Sequence, residues 1–165
     1  MKIKLKLHIF LGYFIISILV AEPAFAVDKV GGHFGHVQLL YTQQESTSTS
    51  IADKVVPGFP MGVSLKNDNS KFSFDMEMIG WIQNTPVSSQ LTLHPGILYS
   101  LSKNWTTGVR MAFEIGQPAW GFTPLLNFSF YNNFFIELPI PLRFVEVGQE
   151  SQFQWNIALH AGVKF

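Results

Sequence analysis

Apolar side chains recur at every second position along most of the chain, a period of two rather than 3.6. The C-terminal segment shows it best. Trp155, Ile157, Leu159, Ala161, Val163 and Phe165 alternate with Gln154, Asn156, Ala158, His160, Gly162 and Lys164. A strand sends these two sets to opposite faces, whereas a helix would scatter both. The same alternation predicts strands over 32–42, 56–66, 71–82, 91–101, 105–115, 119–130, 133–145 and 154–165. On each, one face is bulky and apolar, such as Trp120, Phe122, Leu126 and Phe128 on the sixth. The other is small or polar. In the first strand Val37, Leu39 and Tyr41 read as the apolar face, turned away from His36, Gln38 and Thr42. The second strand carries Pro57 and Pro60, which weaken its assignment.

The lengths narrow the architecture. Strands of about 10 residues or more exceed the usual 5–6 and match what a tilted strand needs to cross a bilayer. Asn67–Ser70, Ser102–Asn104 and Tyr131–Asn132 read as tight turns rich in Asn, Asp and Ser. Gln43–Val55, Gln83–Gln90 and Glu146–Phe153 read as longer loops, and Gly116–Pro118 breaks this trend. The expected fold is all-β: a closed antiparallel up-and-down eight-stranded transmembrane β-barrel, with strand 1 pairing to strand 8 so that no edge is left in lipid.

Composition agrees. Charged residues are 13% and hydrophobic ones 47% of 165 residues, far from the quarter charged of a typical soluble domain. A formal net charge of zero excludes a partner bound by phosphate neutralisation, so no nucleic acid is expected. The absence of cysteine removes disulfides, thiol catalysis and Cys-based zinc sites. Residues 1–26 carry Lys2, Lys4 and Lys6, then the apolar run Ile9–Ala21, then Ala24-Phe25-Ala26, the order of a secretory signal peptide cleaved near Ala26. The barrel then occupies 27–165, with eight Lys and Arg against ten Asp and Glu.

A soluble lipocalin-like periplasmic binding barrel would put the apolar face inside. Against it, the apolar face is too bulky for an eight-stranded interior. The polar face is too small and too sparsely charged for a solvated surface. Aromatics also collect near strand ends. Tyr99, Trp105, Phe130, Phe134 and Phe165 form one expected girdle, and Tyr41, Phe113, Trp120, Phe144 and Trp155 the other.

With these features the mature chain resembles the small eight-stranded outer-membrane proteins of Gram-negative bacteria, the class of the OmpA transmembrane domain, OmpX, OmpW and NspA. The resemblance is architectural and centres on Gln154–Phe165. It implies a bacterial outer-membrane location reached through the periplasm, with membrane lipid and lipopolysaccharide as surroundings. It further implies that Phe165, Val163, Ala161, Leu159 and Ile157 resemble the signal read by the barrel-assembly machinery. A monomer is expected.

If the polar face lines the lumen, Asp75, Glu77, Glu114 and Glu137 meet Arg110, Arg143 and Lys164 there, with His160 nearby. Buried charges must pair. The expected pairs are Arg110 with Asp75 or Glu77, Arg143 with Glu114, and Glu137 with Lys164 or His160. The expected role is structural or surface interaction, with the ionic lumen as a plug. A narrow ion or small-solute channel is one alternative, and a lipid-modifying enzyme another. Neither a catalytic nor a cofactor residue stands out: there is no G-x-S-x-G elbow and no phosphate loop, and His94 and His160 lack a Ser at the spacing of the lipid A deacylase class. His33, His36, His94 and His160 form no H-x-H or H-E-x-x-H set, so no metal site is expected. The Ser/Thr-rich Gln43–Val55 loop is the candidate surface contact.

Overall fold

A computed structural model describes residues 27–84, 87–116, 119–131, 133–147 and 150–165. Residues 1–26, where a signal peptide is expected, lie outside them. The described residues form β1 (Lys29–Gln44), β2 (Thr47–Ser50), β3 (Pro57–Lys66), β4 (Phe72–Asn84), β5 (Val87–Ser100), β6 (Trp105–Ile115), β7 (Ala119–Phe130), β8 (Phe134–Pro139), β9 (Leu142–Val147) and β10 (Glu150–Lys164).

Every pairing is antiparallel, successive strands of the wall pair in up-and-down order, and β1 closes on β10. β8 and β9 lie end to end as one strand of the wall, both paired to β7 and to β10. The result is a closed eight-stranded barrel. The strands are staggered. A ladder row followed from Thr106 passes Asn127, Glu137, His160, Val37, Gly58 and Trp81 and reaches Gln90. It starts near the lower end of β6, where the tight turns lie, and finishes near the upper end of β5. That climb is the tilt which closure demands.

The lower turns are tied locally. The Asn67 carbonyl accepts from Ser70 N and its side chain from Asn69 N, at 3.1 and 2.8 Å. Ser102 Oγ accepts from the amides of Asn104 and Trp105. At the upper end the strands run further than the alternation predicts. β4 continues to Asn84 and β10 begins at Glu150, so much of the expected loops 83–90 and 146–153 is hairpin. Loop 43–55 contains β2, which pairs back onto β1 from Tyr41 to Gln44. Inter-strand bonds satisfy backbone groups there that a loop would leave to water.

Two expectations need correction. The wall strand expected over 133–145 is interrupted at Ile140-Pro141, because prolines 139 and 141 donate no ladder hydrogen bond. The face of β1 is also reversed over part of its length. Val37 is 2% exposed, and Leu39 packs beside it in the interior with Ile79, Trp81, Ala158 and Val56. His36 lies outside, its ring edge-on to Phe59 at 5.7 Å. The register slips by one residue between Leu39 and Tyr41. This β-bulge returns Tyr41 to the outer face, where its ring lies 5.2 Å from Trp155.

Elsewhere the two faces separate cleanly. Phe34, Phe59, Met61, Phe122 and Leu159 are 40–58% exposed on the outside. Asp75, Glu77, Arg110 and Glu137 are 0–3% exposed inside. This is the reverse of a water-soluble barrel, which keeps its charges in solvent and its large apolar groups within.

Candidate functional site

The inner positions of the wall converge on Arg110. Gly96, its partner on β5, leaves the space that its stem crosses. Its Nε donates to Asp75 Oδ2 at 2.8 Å. Nη1 donates to Glu137 Oε1 at 2.8 Å and lies 3.2 Å from Glu77 Oε1. Nη2 reaches Glu137 Oε2 at 3.4 Å, so the Glu137 contact is two-pronged. Ser64 Oγ donates to Asp75 and Asn127 Nδ2 to Glu137, filling further carboxylate lone pairs.

Histidines surround Glu77. His33 Nε2 is 3.2 Å from Oε2 and His94 Nδ1 is 3.2 Å from Oε1. Arg143 Nη2 lies 3.0 Å from His94 Nε2. A guanidinium can only donate, so His94 Nε2 accepts and its Nδ1–H is the donor toward Glu77. Arg143 also bonds Glu114 through Nε at 3.3 Å, Thr123 Oγ1, and the carbonyls of Phe122 and Leu142. From Glu114 the chain continues to Thr92 Oγ1 at 2.7 Å, which in turn accepts from Trp81 Nε1 at 2.9 Å.

At the lower end Lys164 Nζ donates to Asn127 Oδ1 and Ser129 Oγ, at 3.0 and 2.8 Å, and stands over the Phe135 ring. Its contacts are thus neutral oxygens, and the expected pairing with Glu137 is replaced by Arg110, whose planar fork reaches Glu137 first. His160 Nδ1 is 3.5 Å from Glu137 Oε1 and 3.8 Å from Glu77 Oε2, close enough for charge attraction but long for a hydrogen bond. Its Nε2 has no hydrogen-bond partner.

Two glycines make room for these rings. A Cβ on Gly35 would lie 2.9 Å from His160 Nε2, and one on Gly62 would lie 2.6 Å from His33 Nε2.

The structure therefore brings Asp75, Glu77, Arg110 and Glu137 into one cluster. Glu114 pairs with Arg143 above it, and Lys164 stands below. Sequence reading placed neither His33 nor His94 in this network. His94 shared a polar face with Thr92 and Gly96, a usable signal. His33 was hidden by the inverted phase of β1. The inner apolar cluster of Val37, Ile79, Trp81 and Ala158 was not expected either, Val37 because of that inverted phase.

Glu77, Glu137 and His160 offer ligand atoms within 4.8 Å of one another, a spacing open to a cation. Arg110 Nη1 already stands between the two carboxylates, so a fixed positive charge takes that position. The cavity beside it measures about 10 Å³, room for one water molecule, and is bordered by Glu77, His94, Arg110, Glu137 and His160 below and by Val37, Trp81 and Pro139 above.

The outer face carries paired rings at both ends of the wall. Trp105 meets Phe128 and Phe130 stacks on Phe134 below, while Trp120 stacks on Phe144 at 4.9 Å above. Phe72 and Tyr99 pair at the lower end. Phe113, opposite Trp120 in the ladder, belongs to the upper set. In the terminal segment, Phe165 bonds Gly32 through both backbone groups, at 2.7 and 2.9 Å, which ties the C-terminus to β1.

No protein-family model and no curated protein sequence matches the chain. Among solved structures, Ail, the attachment invasion locus protein of Yersinia pestis, is similar at 11% identity. The likeness covers 82% of this chain and 97% of Ail, with a TM-score of 0.55. Neisserial surface protein A is similar at 9% identity, over 82% of this chain and 96% of its own, with a TM-score of 0.50. At these identities the likeness is one of fold: this chain has the small eight-stranded barrel of both proteins.

Proposed function

We propose that the protein is an integral outer-membrane barrel with a plugged lumen, working through surface contact at its upper hairpins. The observation that carries the membrane reading is the inverted polarity of the wall. Large apolar side chains stand outside and an ion-paired cluster fills the inside. That arrangement suits hydrocarbon as the outer solvent. The same cluster disfavours a channel. Arg110 spans the middle of the lumen, held by three carboxylates, and the cavity beside it accepts one water rather than a solute stream. The terminal strand from Ile157 to Phe165 supports recognition by the assembly machinery.

Surface contact draws support from the two similar structures, whose names speak of attachment and of the surface. It also fits the β1–β2 hairpin, which projects a run of Thr, Ser and Gln with few charges. The reading involves no enzymatic step and no cofactor. Cells making the intact chain are expected to carry it in the outer-membrane fraction, migrating faster in gels when unboiled. Deleting residues 45–52 should leave both properties in place and abolish adherence to host-cell monolayers. Recovery as a soluble periplasmic protein would overturn the membrane reading. Stepwise conductance of the folded protein in planar bilayers would overturn the plug.

A further inference from the structure

The lumen changes character above the ionic cluster. Residues opposite one another in an antiparallel pair share a face, and alternate residues along a strand return to it. Thr42 stands opposite the buried Asn156, so Thr42 and Gln44 turn inward above the bulge, and Gln152 lies on the same face of β10. On β2, Thr49 lies opposite Thr42 and Thr47 opposite Gln44, which extends this face. A cavity of about 320 Å³ opens among these residues at the upper mouth of the barrel. Glu45 and Ser46, at the turn between β1 and β2, complete its lining.

Hydrogen bonds hold this basin in shape. Gln44 Nε2 donates to Gln152 Oε1 at 2.6 Å and ties β1 to β10. Gln43 Nε2 donates to the Glu45 carbonyl at 2.6 Å, and Asp53 accepts from the Ser50 amide and hydroxyl just past β2. Among the described residues, these bonds leave the hydroxyls of Thr42, Thr47 and Thr49, Gln44 Oε1 and Gln152 Nε2 without a partner. Each hydroxyl can both donate and accept, and the two amide ends add an acceptor and a donor. Among the described residues the lining holds Glu45 as its one charge, with no Lys or Arg and no aromatic ring. A sulfated or phosphorylated ligand would meet a like charge and no cation. An apolar one would strand the polar groups. A ligand dense in neutral hydroxyls matches them.

We propose that this basin binds a neutral sugar unit of a glycan. The inference rests on the surface-contact reading and names the chemistry of its partner. The volume equals that of about ten liquid waters, enough for a hexose ring that takes over their hydrogen bonds. A few net hydrogen bonds without a stacking ring make the binding weak, in the millimolar range.

The full barrel, isotope-labelled in lipid nanodiscs, tests this by titration with the methyl glycosides of glucose, galactose, mannose and N-acetylglucosamine. At least one should shift the side-chain amide signals of Gln44 and Gln152 and the backbone amides of Thr42 and Thr49, and the shifts should saturate. A sulfated glucose and glycerol should leave them in place. Thr42→Val with Thr49→Val removes two facing hydroxyls and keeps the branched shape that suits a strand. It should weaken binding about tenfold or more, since each lost hydrogen bond accounts for up to about tenfold. Unchanged gel mobility would show that barrel intact. Signals unmoved by all the glycosides would overturn the site, and that measurement needs no variant. So would a sulfated glucose that binds more tightly than the neutral glycosides, glycerol shifts equal to theirs, or an intact double variant that binds as well as the wild type. Adding the glycoside that binds to the adherence assay separates the two sources of such a sugar. Blocked adherence places the glycan on the host cell, and unchanged adherence places it in the bacterium's own lipopolysaccharide. If deleting residues 45–52 abolishes adherence while no glycoside binds, the surface contact stands and the sugar site falls.

Discussion

Replacing Arg110 by Met keeps much of its volume and removes the charge around which the lumen is organised. Three carboxylates then lose their cation at once: Asp75 and Glu137 at 2.8 Å and Glu77 at 3.2 Å. All three are 0–2% exposed, so water cannot take its place without opening the barrel. Breaking one buried ion pair costs about 3–5 kcal/mol, because the remaining charge stays desolvated. With one cation serving three acids, Arg110→Met should fall at the upper end, roughly 5 kcal/mol or more. That is more than three decades in the folding equilibrium, at about 1.4 kcal/mol per decade. Urea titration of the refolded barrel in vesicles, followed by tryptophan emission and by gel mobility, measures it. Adding Asp75→Asn, Glu77→Gln and Glu137→Gln to Arg110→Met should recover most of the loss, since neutral groups can bond one another. A loss below about 1 kcal/mol in the single variant would refute the idea that this cluster holds the lumen together. A quadruple variant no more stable than the single one would show that the guanidinium acts by packing, not by charge.

Lys164→Met should cost only about 1–2 kcal/mol by the same titration, because Nζ bonds two neutral oxygens; a loss equal to that of Arg110→Met would mean it carries the carboxylate charge after all. The Phe165 ring lies over Gly32, so Gly32→Val should displace it and lower the outer-membrane yield in cell fractionation, while Val30→Ile, one pleat away on β1, should not. The Ser50 hydroxyl and amide hold the exposed Asp53 carboxyl below the usual carboxylate range. The extra stability of that turn is therefore complete above the unfolded pKa and is lost as pH falls through the depressed folded value. The Ser50 amide resonance should report this on acidification; an Asp53 that titrates at its ordinary value would contradict it.

The period of two is a local property, and it decided a great deal. It assigned all eight wall segments and the outward side of seven, because alternate residues of a strand face opposite ways whatever their partners. It also put Asp75, Glu77, Arg110, Glu114, Glu137, Arg143 and Lys164 on the inner face. Two local irregularities escaped it. The bulge at Leu40 was masked by the apolar run Leu39-Leu40-Tyr41, which reads equally well in either phase. Prolines 139 and 141 point inward and keep the alternation intact, so the pattern alone does not show the ladder bonds they remove.

Who meets whom across the lumen belonged to the tertiary structure. Contacts between distant strands depend on the stagger accumulated around the closed wall, and no single strand encodes it. That stagger brings Glu137 of β8 to Arg110 of β6 and leaves Lys164 to Asn127. It also sets His33 of β1 beside Glu77 of β4. The same closure gathers Val37, Ile79, Trp81 and Ala158 from β1, β4 and β10 into one buried cluster. The chain's local chemistry thus fixes each side chain's face. Only the geometry of closure fixes its partners, because pairing energy across a sealed interior is decided by distances that strand order and tilt set together.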